Sequence, residues 1–302
     1  MMILPLAIRF FPLLLSLYST LIAEMQVTLR ITKSFSQQPI LHLSDKTRPL
    51  NVIELLKAHT DLKTGFGGGF VNSINGIQSV SKNGETKDWF YYVNGILAPV
   101  GAKQYQLHHE DMIWWDFHHW KEGISISALV GAYPHPFLGG YRGKKKKTVV
   151  AHAEGFQALG QMWAEDLEKH HVDNVQTAEL SAMKDFTKSY LLLIGAYKDL
   201  VKNKQTLKFF ENADKLGFFV RFNSEEKLEL RYFDGKPAKK IDGGATLIAG
   251  KVGQNGAVWI VTGNQSQSIK EISKLFLAAS DKTQFGCGIA LSKHEIITLP
   301  VW

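Results

Sequence analysis

The chain has 302 residues, 45% of them hydrophobic and 21% charged, with a formal net charge of +7. That length allows two domains of ordinary size, and the balance excludes both a disordered chain and a protein of many membrane spans. A single cysteine, Cys287, excludes an intramolecular disulfide and a thiolate metal cluster.

Residues 3–23 are apolar apart from Arg9 and a few hydroxyl and proline positions, and they end on the small Ala23. Residues 1–24 therefore read as either a cleaved signal peptide or an N-terminal membrane anchor, which places the remainder outside the cytoplasm. A true start at Met25 would remove that expectation. From Met25, Val27, Leu29 and Ile31 alternate with Thr28, Arg30 and Thr32, as in a strand with one wet face. A second short strand spans residues 40–43. Asn51 then opens a short helix whose stripe is Val52, Leu55 and Leu56.

Gly65, Gly67, Gly68 and Gly69 form a turn into a strand over residues 70–77, and Lys82-Asn83-Gly84 is a further turn signal. Strands are expected over residues 89–93, closed by Asn94-Gly95, and over 105–107 and 112–118. Two strands, a helix and then several strands predict a β-grasp-like domain over residues 25–122, and with it an α+β fold class.

The run Tyr133-Pro134-His135-Pro136, then Gly139-Gly140 and Lys144-Lys145-Lys146-Lys147, reads as a linker over 123–148, with the lysines as a solvated loop. The net charge suggests affinity for anionic surfaces such as wall polymers, lipid headgroups or nucleic acid; the basic excess is otherwise diffuse, and no nucleic-acid partner is assigned. Residues 149–302 alternate helix and strand as a separate α/β domain would. Phe156, Leu159, Trp163 and Leu167 recur at helical spacing, residues 190–194 and 258–261 read as buried strands, and 218–222 with 228–233 read as a hairpin. Ser268 and Glu271 fit a capping box ahead of Ile269, Ile272 and Phe276. Cys287, between Gly286 and Gly288, reads as a small buried residue.

Four of the seven tryptophans fall between Trp89 and Trp120. Side chains alternate across a strand, so if Ile113, Trp115 and Phe117 point inward, Trp114, Asp116, His118 and Trp120 share the opposite face. Exposed rings this large suit a bound ligand. Trp89, Tyr91, Trp114 and Trp120 are candidates for stacking, and Asn94, Asp116 and His118 for polar or axial contacts. His108, His109, Asp111, Asp116, His118 and His119 invite a metal, but adjacent histidines point to opposite faces of a strand, and no metal ligand is assigned.

Catalytic signatures fail residue by residue. His109-Glu110 lacks a second histidine at Ile113, His294-Glu295 lacks one at Thr298, and residues 139–147 lack the spacing of a phosphate-binding loop. No catalytic residue is assigned.

One segment resembles a known family. Gly69-Phe70-Val71-Asn72-Ser73-Ile74-Asn75-Gly76-Ile77 precedes an aromatic strand ending in Asn94-Gly95. Pro99 and Gly101 lead to Tyr105, and a final strand follows His109-Glu110-Asp111. In order and separation these landmarks resemble the C-terminal domain of the transcobalamin and intrinsic-factor carriers and its bacterial relatives, over residues 25–120. The resemblance implies a β-grasp-like ligand-binding domain, which in the animal carriers covers one side of cobalamin. Residues 124–302 contain nothing like the helical hairpins of those carriers, and the aromatic final strand belongs to the bacterial branch.

The expectation is an exported, non-catalytic protein that holds a small molecule, a corrinoid among the candidates, for uptake through a transporter and without a resident cofactor. The alternative is a surface module for polysaccharide, peptide or partner protein. An enzyme seated in the C-terminal half would instead require a deep pocket with converging polar groups there.

Overall fold

The computed structural model describes residues 24–35, 38–48, 50–82, 85–119, 125–254, 256–278, 286–293 and 295–301. Residues 1–23, where a signal peptide or anchor is expected, and Trp120 lie outside the described residues. Among those described, no helix is long and apolar enough to cross a membrane.

The N-terminal unit begins with β1 (Met25–Lys33) and β2 (Leu41–Thr47), an antiparallel pair, followed by α1 (Val52–His59). Asn51 caps this helix reciprocally: its side chain accepts from the Glu54 N–H at 3.0 Å, and the Glu54 carboxylate accepts from the Asn51 N–H at 2.9 Å. A small sheet of β3 (Leu62–Gly65), β4 (Phe70–Ile74) and β5 (Ile77–Gln78) comes next. The chain then returns through β6 (Val80–Lys82), β7 (Glu85–Val93), β8 (Ile96–Leu97) and β9 (Met112–His119). The main sheet runs β2-β1-β9-β7-β6. β9 lies parallel to β1 and antiparallel to β7, which is the β-grasp arrangement expected. The strand expected over 105–107 is reduced to a single bridge between Asn51 and Gln106.

The C-terminal unit contains β10 (Thr148–His152), α2 (Gln157–Lys169), β11 (Val175–Glu179), β12 (Tyr190–Ala196), α3 (Tyr197–Leu200), α4 (Lys204–Glu211) and α5 (Ala213–Leu216). A three-stranded sheet follows, of β13 (Val220–Phe222), β14 (Leu228–Arg231) and β15 (Pro237–Ile241), the first two forming the expected hairpin. The chain closes with β16 (Ala245–Val252), β17 (Gly256–Gly263), α6 (Ser266–Ala278), β18 (Gly288–Ser292) and β19 (Glu295–Leu299). The large sheet has the order β11-β10-β12-β17-β16-β18-β19. Its first four strands are mutually parallel, and the others are antiparallel to their neighbours. β12 and β17 are buried at every position, which explains their unbroken apolar runs: a parallel strand in mid-sheet is covered on both faces.

Two expectations are corrected here. The capping box at Ser268 does not form, because α6 starts at Ser266 and the Ser268 hydroxyl instead donates to the Gly243 carbonyl. The linker over 123–148 is not an exposed tether. Ile126, Leu129, Val130, Tyr133, Phe137 and Tyr141 are all buried. Tyr133 packs against Trp163, Trp259 and Phe276, and Phe137 against Trp259. Proline and glycine density signalled the irregular backbone correctly, but the aromatic residues between them decide its location, because burying each contributes about 2–3 kcal/mol.

The same segment ties the two units together. Leu129 N–H donates to the Gly95 carbonyl at 2.8 Å, Leu97 N–H to the Ser127 carbonyl at 3.0 Å, and Gly131 N–H to the Gly286 carbonyl at 3.0 Å. Gly95 has a φ of 74°, and a Cβ there would lie 2.6 Å from that of Ala132, so only glycine lets the turn approach this closely. Buried apolar side chains consequently form one continuous cluster across both units.

His135 is sealed within this segment. Its Nδ1 finds no hydrogen-bond partner, and burial, helped by the charge of Lys145, holds its pKa down at about 4. Between pH 6.5 and 4 the unfolded chain binds a proton that the folded protein refuses, so this contribution is present near neutrality and is lost as pH falls through that window. It amounts to about 3 kcal/mol. Urea midpoints measured from pH 7 to pH 4 should fall more steeply for the wild type than for His135→Gln; equal slopes would show that His135 is not buried neutral.

Candidate functional site

The aromatic strands were the expected site, and the structure packs both of their faces. On one face of the β-grasp sheet, Trp115 stacks on Tyr91 at 5.0 Å and Trp89 packs on Phe117 at 5.1 Å. The Trp89 indole donates to the Ile77 carbonyl at 3.1 Å, and the Tyr91 hydroxyl to the Val100 carbonyl at 2.5 Å. On the other face, Trp114 is fully buried with the Arg30 guanidinium 4.2 Å above its ring.

Asp116, also fully buried, organises that second face. Its carboxylate accepts from the Thr32 hydroxyl at 2.5 Å, the Phe35 N–H at 2.8 Å and the His118 Nδ1 at 2.8 Å. Thr32 in turn accepts from the Trp114 indole at 2.7 Å. The His118 ring stacks on Phe90 at 4.4 Å, and Phe233 of the C-terminal unit packs against its edge.

Asn94 has an equally structural place. Its amide nitrogen donates to the Asp111 carboxylate at 2.9 Å and the Gly140 carbonyl at 2.8 Å, and its oxygen accepts from the Met112 N–H at 2.8 Å. Burial raises the pKa of Asp111 despite its hydrogen bonds from His108, Tyr105 and Asn94.

The expected open platform is therefore corrected. Trp89, Tyr91, Asn94, Trp114, Asp116 and His118 are each at most 8% exposed and serve as core and inter-unit packing. Alternation along β9 holds, but the expected platform joined residues of opposite faces, because Trp89 pairs with Phe117 and Tyr91 with Trp115; the packing of residues 125–141 and Phe233 against the second face was not visible in strand periodicity.

A different place has the form of a binding site. The chain leaves β10, crosses through α2 to β11 on one side, then places β12 on the other side of β10. Where strand order reverses in this way, the loops after adjacent parallel strands diverge and leave a crevice at the strands' carboxyl ends. A cavity of about 850 Å³ lies there, lined by His152 at the end of β10 with Glu154 beyond it, Glu179 at the end of β11 with Ser181 beyond it, and Asp199 and Lys202 after β12. That volume suits a small organic ligand.

His152, 6% exposed, reaches the cavity with its Nδ1 beside the Ala153 carbonyl at 3.2 Å. Lys202 is engaged by Asp199 at 2.7 Å, and the Ser181 hydroxyl donates to Glu179 at 3.2 Å. Three carboxylates thus face one ammonium, so the crevice favours hydrogen-bond donors or positive charge on a guest.

None of these residues was singled out in the sequence. A signal was present: the apolar Val149, Val150 and Ala151 run into a glycine turn at Gly155 and then a helix. The expected α/β domain begins at residue 149, but β10 itself is not among its expected strands. Among the described residues, no group of three or more His, Cys, Asp or Glu is placed to hold a metal ion.

Residues 50–119, within the β-grasp unit, are similar to the family described as "Domain of unknown function (DUF4430)". No curated protein matches the chain. A solved structure from Ruminococcus gnavus ATCC 29149, provisionally described as a metal-binding protein, is similar to 32% of this chain over 100% of its own length, at 15% identity and a TM-score of 0.28.

The packing role of Asp116 has a direct consequence. Removing a buried carboxylate that satisfies three donors should cost about 3–5 kcal/mol. Asp116→Ala should lower the urea midpoint accordingly and red-shift tryptophan emission as Trp114 becomes wet; a loss below about 1 kcal/mol would mean that the face is not sealed.

Proposed function

We propose that this protein is an exported, non-catalytic binder of a small polar molecule, held at the switch point of the C-terminal sheet, with the β-grasp unit as its rigid support. The observation that carries the reading is the crevice of about 850 Å³ at the carboxyl ends of β10, β11 and β12, with the largely buried His152 and three carboxylates on its wall. Binding is favoured over catalysis by the local hydrogen bonds. The Ser181 hydroxyl donates to Glu179 and the His152 Nδ1 lies beside its neighbour's carbonyl, so the crevice's hydroxyl and imidazole are not joined in a serine–histidine pair.

The likeness to the transcobalamin-type domain supports a carrier role for the whole chain, with residues 1–24 as leader or anchor and an uptake transporter as partner. A corrinoid remains one ligand to test, although Trp89, Trp114 and Trp115, the described indoles of the β-grasp unit, are buried and offer it no stacking platform.

A second reading, recognition of a surface polysaccharide, peptide or protein, draws on Phe66. This residue is 94% exposed at a turn with φ of 49°, edge-on to Phe70 at 6.5 Å. A ring held out in this way is open to a partner.

Thermal shift separates the ligands. Amino acids, sugars, nucleosides, cobalamin and cobinamide are each added at millimolar concentration. A ligand at about a hundred times its Kd adds about 2.7 kcal/mol, several degrees in Tm. A true crevice ligand loses that shift in Glu179→Gln and His152→Ala and keeps it in Phe66→Ala. No shift with any compound, together with a native mass spectrum from the source organism showing only the bare chain, would contradict the proposal.

A further inference from the structure

A second, smaller cavity has the opposite electrostatic character. It measures about 400 Å³, lies where the former linker meets the β-grasp unit, and is lined by Gln104, Gln106, His108, Arg142 and Lys144. Every one of these side chains can donate a hydrogen bond, and none is a carboxylate. Arg142 and Lys144 make no ion pair among the described residues, whereas Lys145 faces Glu110 at 4.0 Å and Asp173 at 3.8 Å. Lys146 donates to the Thr187 carbonyl at 3.1 Å, and Lys147 to the Gln176 side chain at 3.2 Å. The lysine run is therefore mostly spent on local contacts, and its first member is the one left over.

The two free cations are held on a rigid frame. Tyr141 and Lys144 exchange backbone hydrogen bonds across a tight turn, with Arg142 at a φ of 55° and Gly143 at 65°. A left-handed arginine carries strain, and the surroundings hold it there. The Arg142 N–H donates to the hydroxyl of the buried Tyr105, at 3.2 Å. At Gly143 a Cβ would come within 2.5 Å of the His108 ring, so the turn lies directly on that imidazole. Asp111, which is buried, lies 3.6 Å from the His108 Nδ1 on the inner side of that ring; its carboxylate is occupied by Tyr105, Asn94 and the His108 N–H and does not line the cavity.

We infer that this notch binds a small oxyanion, a phosphate group, through Arg142, Lys144 and His108, with Gln104 and Gln106 completing the donor set. Guanidinium and ammonium groups left unpaired beside two amides and an imidazole match the acceptor-only surface of a phosphate. The site is remote in the chain from the switch-point crevice and shares no residue with it, so the two stand or fall separately.

The test follows the His108 ring by NMR while inorganic phosphate is added to the full-length protein at constant ionic strength. A saturable shift absent with sodium chloride is expected, weakened about tenfold or more in Arg142→Gln and in Lys144→Gln. Arg142→Lys should keep most of the affinity, which guards against a folding defect in the glutamine variant, and Lys147→Gln should bind like the wild type. Glycerol 3-phosphate distinguishes the source of the group: tighter binding than the free ion indicates an esterified phosphate, and equal binding the ion itself. A response identical to that with chloride, or full phosphate affinity in both glutamine variants, overturns the assignment.

Discussion

The structure depends on one constraint: β9 has no wet face. Its odd-numbered residues, Ile113, Trp115 and Phe117, close the core on one side, and its even-numbered residues, Trp114, Asp116 and His118, close it on the other. An isolated β-grasp sheet would leave the second set in water. Here the carboxylate of Asp116 gathers Thr32, Phe35 and His118 around it, and residues from the C-terminal unit pack over that polar knot. The carboxylate is tolerated in the interior because three donors replace the water it gave up.

From this follows the arrangement of the whole chain. A segment rich in proline and glycine, which elsewhere would tether two bodies, is drawn in by Tyr133, Phe137 and Tyr141 and becomes shared core. Rigid junctions of this kind fix the turn that carries Arg142 and Lys144, and hold the large sheet against the β-grasp support. The crevice at β10, β11 and β12 then sits at the far end of parallel strands, where the topology opens a gap irrespective of what the N-terminal unit does.

Much of the fold was legible in the residues. The alternation of Val27, Leu29 and Ile31, the Asn51 start of α1, the Asn94-Gly95 turn and the hairpin ahead of Phe233 all appear where their patterns put them. Cys287 is buried, as its glycine neighbours suggested. What escaped were β10, β16, β18 and β19, short runs without clean alternation that one sequence does not separate from buried helix, and β11, whose Val175-Gln176-Thr177-Ala178-Glu179 is too polar to signal a strand. The candidate site was misplaced for a related reason. Periodicity says which residues share a face, and Trp114, Asp116 and His118 do, but what covers that face is decided by residues 125–141, Phe233 and Gly286, which are distant in sequence. The crevice gathers His152, Glu179 and Lys202 from the ends of three separate strands and the turns after them, so no local spacing announces it.

The central claim is that the two units form one cooperative body sealed at the Trp114–Asp116–His118 face. Differential scanning calorimetry of the full chain, with tryptophan emission followed over the same temperatures, tests it most directly. A single transition whose calorimetric and van't Hoff enthalpies agree, coincident with the emission change, is predicted. Two separable transitions, with the tryptophans of the β-grasp unit becoming wet while the C-terminal unit stays folded, would contradict it.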